Sequence, residues 1–451
     1  ANTTGAYNVA VGERAMSGNT TGTSNIVLGS QAMANNSTGS YNIAIGEGSL
    51  WGASGQSHNN NTAIGYRSGY SVTTGGQNFF GGANAGYNTT TGGTNVLLGA
   101  YAGYNNTTGG SNTFLGYQAG NSNTTAQNNF FGGMQSGFSN TTGTSNVSIG
   151  LTSSYYNQTG LGNTAVGYES LKGASGNSHS NNTAIGSQAG KGITTGVSNF
   201  FGGSSAGFAN TTGEYNVAVG TYSLNTNTTG SRNHALGGRA LYLNTTGTDN
   251  IAVGYNSLEE NTTGRYNVAS GGSALRNNTT AWYNTAIGYQ SGTSNTTGQR
   301  HTYLGYQAGY SSTTGTDNTF LGYYAGRSTT TGFDNVFIGA EAGDSTTTLS
   351  QSVAVGAQAG RNYTGANGYV AVGYNAFGGT GGMVESVGVG SNAGGLMTSG
   401  QWNVFLGHNV ASNRAGGGSN IAIGYLAGAT SGATGSNNVF IGDRAGYNSN
   451  T

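Results

Sequence analysis

The phrase NTTGTSNIVLG at residues 19–29 is followed at residues 36–46 by NSTGSYNIAIG, which is the same phrase 17 residues later. The last glycine of this phrase, called the marker glycine below, recurs 26 times from Gly12 to Gly442. Nearly all intervals are 17 residues, while two are 19 and one is 18. A fixed period over the whole chain indicates a repeat architecture.

The composition excludes several classes of protein. The 451 residues include 87 Gly, no Pro and no Cys, and only 6% are charged, with a net charge of zero. Without cysteine there is no disulfide framework and no thiolate metal site. Thirteen scattered Lys and Arg do not form the basic patch that nucleic acid requires. No run of about 18 apolar residues spans a membrane.

Three mostly apolar residues precede each marker glycine, as in NVAVG and NTAIG, and this pattern predicts a short strand followed by a corner. Seventeen residues are too few for two helices. The sequence therefore predicts an all-β fold, a parallel β-solenoid of about 26 coils, each with two short strands and two Gly-rich corners. At about 4.8 Å per coil the rod is roughly 120 Å long. We expect one continuous domain, residues 1–451, in which a seven-repeat block at 46–166 is partly duplicated from 167.

The residue four positions before the marker glycine is Asn in 22 of 26 repeats, which predicts an inward amide ladder along the axis. The residue three positions after it is Ala or Ser in all repeats but one, which predicts a narrow interior. The predicted structural ladder includes Asn8, Asn25, Asn42, Asn95, Asn112, Asn146, Asn216 and Asn250.

Both faces of each strand are apolar, since the central residue is often Ala or Phe and its neighbours are apolar as well. One face forms the core, so the other is expected to pack on a second copy of the chain in a closed homo-oligomer. The alternative is that Ala and Phe form a surface stripe.

The phrases NVAVGERA, NIAIGEGS, NTAVGYES and NIAIGYLA resemble the head repeats of trimeric autotransporter adhesins. With the intervening NTTG, they also resemble repeat shafts of tail-fibre-domain proteins. The resemblance covers essentially the whole chain and implies a left-handed parallel β-roll and a homotrimer. The adhesin repeat is shorter than 17 residues, and no neck, stalk, anchor barrel or chaperone domain is recognisable.

The NTTG phrase has three interpretations. It is a turn, in which Asn and Gly tolerate positive φ; it is a turn that also carries N-linked glycans on one edge of the rod; or its second Thr forms a row that binds ice or glycans. The Thr row comprises Thr4, Thr21, Thr38, Thr108, Thr125, Thr142 and Thr212. The candidate glycosylation sites are Asn2, Asn19, Asn36, Asn106, Asn123, Asn140, Asn157, Asn210, Asn227, Asn244, Asn261, Asn278 and Asn295.

Aromatic residues recur at two further places, where stacked ladders are favoured over carbohydrate binding. One set directly follows the marker glycine: Tyr66, Tyr117, Tyr168, Tyr255, Tyr289, Tyr306, Tyr323, Tyr374 and Tyr425. The other lies four residues further on: Tyr70, Tyr87, Tyr104, Phe138, Phe208 and Tyr310.

No catalytic, cofactor or metal site is predicted, because acidic residues are scattered and only Glu259 and Glu260 are adjacent. His58 and His179 recur in the duplicated loops and are expected to be solvated. The sequence predicts a non-enzymatic, extracellular, cell-surface or virion rod, a fibre shaft or adhesin head, whose partners are copies of itself, end-to-end neighbours, surface glycans or a host receptor. A ligand-binding solenoid that uses its Thr or Tyr rows is the alternative.

Overall fold

A computed structural model describes residues 2–363 and 367–448. Its residues form two compact units, Ala1–Thr229 and Gly230–Thr451. In the described residues every marker glycine directly follows a three-residue strand, and no helix is present. The expected single domain over residues 1–451 stays a prediction.

The described residues of the first unit contain thirteen strands, and each of the first twelve is paired in parallel with the next one in sequence. The register is offset by one repeat, so that Val96 lies opposite Thr113. The strands are β1 Val9–Val11, β2 Ile26–Leu28, β3 Ile43–Ile45, β4 Thr62–Ile64, β5 Phe79–Gly81, β6 Val96–Leu98, β7 Thr113–Leu115, β8 Phe130–Gly132, β9 Val147–Ile149, β10 Thr164–Val166, β11 Thr183–Ile185, β12 Phe200–Gly202 and β13 Val217–Val219.

The second unit repeats this parallel ladder and adds a separate sheet of two strands, Gly382–Val384 (β23) and Ser399–Gln401 (β25). Its strands are β14 His234–Leu236, β15 Ile251–Val253, β16 Val268–Ser270, β17 Thr285–Ile287, β18 Thr302–Leu304, β19 Thr319–Leu321, β20 Val336–Ile338, β21 Val353–Val355, β22 Val370–Val372, β23 Gly382–Val384, β24 Val387–Val389, β25 Ser399–Gln401, β26 Val404–Leu406, β27 Ile421–Ile423 and β28 Val439–Ile441. The predicted all-β parallel β-solenoid with a 17-residue repeat is confirmed.

The expectation of two strands in every coil is wrong. Only β23 and β25 form a second strand, and the rest of each described coil turns without extended pairing. The backbone explains this, because a typical coil holds left-handed residues before and after the strand, such as Ser111 with φ 57° and Gln118 with φ 54°. The marker glycine itself has φ near 130°, a region that favours glycine, and a Cβ on Gly116 would lie 2.7 Å from the Gly133 carbonyl.

The core is filled by the central strand residue together with the residue six positions later. Where the first is Phe or Tyr, the second is Gly in every strand except that of Phe405, as in Phe131 with Gly137. Where the first is Ala, the second is often Leu, as in Ala218 with Leu224. A Cβ on Gly137 would lie 2.6 Å from the Phe131 ring. The two positions therefore share one volume, and a narrow interior stays close-packed while its residues vary.

Candidate functional site

The Asn four positions before the marker glycine forms a buried hydrogen-bonded ladder. In the first unit the Nδ2 of Asn112 donates to Asn95 Oδ1 at 3.2 Å and to the Ala126 carbonyl at 2.9 Å. The Asn112 backbone N–H donates to the same Asn95 Oδ1 at 3.0 Å. Each amide thus links the preceding coil to the following one and leaves few unsatisfied polar groups in a thin interior. Seven of the eight predicted ladder residues are buried, namely Asn25, Asn42, Asn95, Asn112, Asn146, Asn216 and Asn250, while Asn8 is half-buried.

The Asn of the NTT triplet forms a second buried ladder. The Nδ2 of Asn123 donates to Asn106 Oδ1 at 2.7 Å, and Asn140 donates to Asn123 at 3.1 Å. Within its own coil, Asn140 Nδ2 also donates to the Gly143 carbonyl at 3.1 Å. These amides therefore close the corner from inside the coil.

This placement corrects the expectation that the NTT asparagines line an outer edge. Twelve of the thirteen candidates are at most 2% exposed, and only Asn2 is exposed. A glycan on a buried amide would displace the ladder, so the folded coil offers no acceptor there. The twelve buried residues are Asn19, Asn36, Asn106, Asn123, Asn140, Asn157, Asn210, Asn227, Asn244, Asn261, Asn278 and Asn295.

The NTTG corner depends on close backbone approach, and its glycine has no positive φ. The N–H groups of Thr107, Thr108 and Gly109 all donate to the Thr124 carbonyl of the next coil, at 2.9, 3.1 and 3.2 Å. A Cβ on Gly109 would lie 2.4 Å from the Ala126 carbonyl oxygen. The turn interpretation was right about the corner and wrong about why glycine is needed.

The expectation of solvated histidines in the duplicated loops is also wrong. His58 and His179 are at most 1% exposed, and their Nδ1 atoms lie 3.4 and 3.3 Å from Asn42 and Asn163 Oδ1. Burial lowers the pKa of both rings to about 4. His301, which replaces a ladder Asn, is buried as well, and its pKa is also lowered by burial to about 4.

The two residues that flank the centre of each strand form the outer strand face. The central residues, Ala and Phe among them, are buried in most strands, so the alternative of an Ala and Phe surface stripe is wrong. The 26 strands that precede a marker glycine have 52 such flanking positions. Of these, 40 are Val, Ile, Leu or Phe, and none is charged. Many are substantially exposed, such as Ile26 at 43% and Ile185 at 48%.

The ion pairs lie elsewhere, and most of them join neighbouring coils. Arg232 forms a bidentate ion pair with Asp249 at 2.6 and 2.9 Å, and Arg300 does the same with Asp317. Glu259 is held by both Arg239 and Arg276. These ion pairs therefore connect neighbouring coils and lie away from the outer strand face.

The predicted Thr and aromatic rows are regular surface features. The second Thr of the NTT triplet is exposed at Thr4, Thr21, Thr38, Thr108, Thr125, Thr142 and Thr212. The hydroxyl of the preceding Thr is instead bound to the next coil, as Thr124 Oγ1 is to the Thr141 carbonyl at 3.1 Å.

Two sets of aromatic side chains differ in their exposure. The tyrosines that follow the marker glycine are 41–63% exposed: Tyr66, Tyr117, Tyr168, Tyr255, Tyr289, Tyr306, Tyr323, Tyr374 and Tyr425. The second set is half-buried, and Tyr70, Tyr87 and Tyr104 stack with ring centroids 4.8 and 5.2 Å apart. Phe138 stacks on Tyr155, while Phe208 and Tyr310 occupy the equivalent places in their coils. These rings support the coil stack.

Within residues 2–363 and 367–448, no group of three or more His, Asp or Glu side chains is arranged to hold a metal ion. The same residues contain no helix long and apolar enough to cross a membrane.

No protein-family model matches the chain, and the comparison with curated proteins finds no similar sequence. The functional argument therefore rests on the geometry of the coils.

Proposed function

We propose that the protein is a structural rod of a fibrous assembly, and that its outer strand face packs on further copies of the same chain. The observation that carries the proposal is the uncharged apolar character of this face over 26 strands. At about 4.8 Å per coil and a width of about 10 Å, thirteen coils present roughly 600 Å². A patch of that size marks an interaction surface on a soluble protein.

A second copy is the occupant that this surface favours. The outer strand face repeats once per coil, so a partner that covers it must have the same repeat distance. An identical chain has that repeat distance. The absence of charged residues also argues against a partner that is recognised by ion pairs. The resemblance to adhesin heads supports three copies, a left-handed roll and an extracellular, cell-surface or virion location.

The proposal is tested by the mass of the purified chain in sedimentation equilibrium. Ile251→Lys, Ile287→Lys and Leu304→Lys together place charge on the outer strand face of the second unit, where these residues are 41–42% exposed. The matched control carries Thr246→Lys, Thr280→Lys and Thr297→Lys, at exposed corners of the same coils. We expect an oligomer, preferably a trimer, for the wild type and the control, and a smaller species for the first variant. A monomeric wild type at micromolar concentration would refute the proposal.

A second candidate function is ligand binding by the exposed Thr row. It is favoured by hydroxyls that recur once per coil, at Thr108, Thr125 and Thr142 for example. It is weakened because only one Thr of each pair is available, since the hydroxyl of the other bonds to the next coil. Thermal hysteresis and binding to a glycan array test it, and a Thr108→Val, Thr125→Val, Thr142→Val variant should lose the signal.

A further inference from the structure

The first unit contains a cleft beneath one of the duplicated loops. Its volume is about 670 Å³, and its walls include Tyr156, Lys172, Ala174, Lys191, Phe208 and Thr211. Ala174 belongs to the loop inserted at 173–180, which covers one side. The volume suits a small organic molecule, and the walls are mostly apolar with two amines among them.

The cleft is a gap in the half-buried aromatic column. In the first copy of the duplicated block, Trp51, Tyr70, Tyr87 and Tyr104 stack continuously, with centroids 5.0, 4.8 and 5.2 Å apart. In the second copy, 121 residues later, Lys172, Lys191, Phe208 and Asn225 stand at the same four places. The surrounding loop is nearly identical, so the substitutions remove the indole and two phenol rings and leave the Phe208 ring beside two lysines.

The two lysines share a single carboxylate. Lys172 Nζ and Lys191 Nζ lie 2.6 and 2.7 Å from the two oxygens of Glu169, and Gln188 donates to that carboxylate at 3.0 Å. Burial opposes ionisation of Glu169, but the hydrogen bonds from Lys172, Lys191 and Gln188 lower its pKa to about 2. The site therefore holds one excess positive charge near neutral pH.

The N–H groups of these amines that are not bound to Glu169 can donate hydrogen bonds to an anion that lies beside the Phe208 ring. An ammonium group has three donors, and the pairing with Glu169 leaves further donors on each amine. Lys191 Nζ also lies 5.5 Å from the centroid of the Phe208 ring. A ring that stacks on Phe208 thus brings a carboxylate attached to it within reach of the lysines.

We propose that this cleft binds a small planar aromatic carboxylate, with its ring on Phe208 and its carboxylate at Lys172 and Lys191. Beside the first loop the equivalent places hold the stacked rings of Trp51, Tyr70, Tyr87 and Tyr104 in place of the two lysines. The inference does not depend on the proposed self-association, because every residue it uses lies away from the outer strand face.

The test is isothermal titration of the full chain with naphthalene-2-carboxylate and with its neutral analogue, naphthalene-2-methanol. We expect the carboxylate to bind at least tenfold more tightly, and Lys191→Gln to remove most of that preference while the alcohol binds as before. Ala174→Trp should fill the cleft and abolish binding. Ala53→Trp, at the same place in the first loop, is the matched control and should leave it unchanged.

Three results would overturn the proposal. They are equal affinity for the acid and the alcohol, equal effects of Ala174→Trp and Ala53→Trp, and no heat of binding at millimolar carboxylate. Circular dichroism of each variant establishes that the solenoid is intact, and Lys191→Gln adds no bulk to the core.

Discussion

The shared core volume predicts that two destabilising substitutions rescue one another. Phe201 is fully buried, and a Cβ on Gly207 would lie 2.3 Å from its ring. Phe201→Ala leaves a cavity and should cost about 3–5 kcal/mol of unfolding free energy. Gly207→Leu alone forces a side chain into an occupied volume and should cost about 1–3 kcal/mol, plus about 1 kcal/mol for a left-handed Leu.

The double variant recreates the neighbouring coil, in which Ala218 is paired with a fully buried Leu224 at φ 50°. Leu at 207 then occupies the space that the Phe ring leaves. We expect the double variant to be more stable than Phe201→Ala alone, with a coupling free energy of at least about 2 kcal/mol.

Urea unfolding of the four proteins, followed by far-ultraviolet circular dichroism, measures this coupling. Phe201→Ala with Gly137→Leu is the control, because Gly137 contacts the ring of Phe131 several coils away. That pair should be additive within about 0.5 kcal/mol. Additive effects of Phe201→Ala and Gly207→Leu would refute the idea that the two positions share one volume.

Three other predictions follow from the buried polar groups. The pKa of His58, His179 and His301 is about 4 in the fold, against an ordinary value of 6.5, so the unfolded chain binds more protons than the folded chain below pH 6.5. The free energy of unfolding should therefore fall by about 2 kcal/mol per ring between pH 7 and pH 5. His58→Gly, which restores the residue of neighbouring corners, should make the urea midpoint depend less on pH. Asn129→Ala removes the hydrogen bonds to Asn112, Gly143 and Asn146 and should cost about 2–4 kcal/mol in urea unfolding, whereas Thr125→Ala, at the exposed corner of the same coil, should cost less than about 0.5 kcal/mol. Intact-mass measurement of the folded protein should find no glycan on the twelve buried NTT asparagines, and a sugar on Asn140 in a folded chain would contradict their interior placement.

The repeat period predicted the fold because the strand phrase and its glycine recur at fixed positions. The direction in which each strand faces was not predictable from the phrase, since Ile43, Ala44 and Ile45 are all apolar. Only the structure shows that Ala44 is buried and that Ile43 and Ile45 face outward. When the residues on both faces of a strand are apolar, their alternation does not reveal which face is turned toward the core.

The second Asn ladder was missed because Asn-Thr-Thr is also a glycosylation sequence. The signal against that interpretation was present: the Asn keeps a fixed distance of ten residues from the marker glycine, and in eleven of the thirteen cases a glycine follows it three residues later. An amide that recurs at the same place in thirteen coils with few charges is expected inside, where its hydrogen bonds must be satisfied. The burial of His58 could also have been inferred from its place in the coil, because it stands where neighbouring coils have the tightly packed corner glycine.

Disulfide cross-linking tests most directly whether the outer strand face joins copies of the chain. The wild type has no cysteine, so single substitutions are unambiguous. Ile185→Cys places a thiol on the outer strand face, where the residue is 48% exposed, and Thr195→Cys places one at the exposed corner of the following coil. We expect Ile185→Cys to form covalent dimers rapidly and in high yield on mild oxidation, and Thr195→Cys to remain mostly single chains. Equal and slow cross-linking of the two variants would contradict the account.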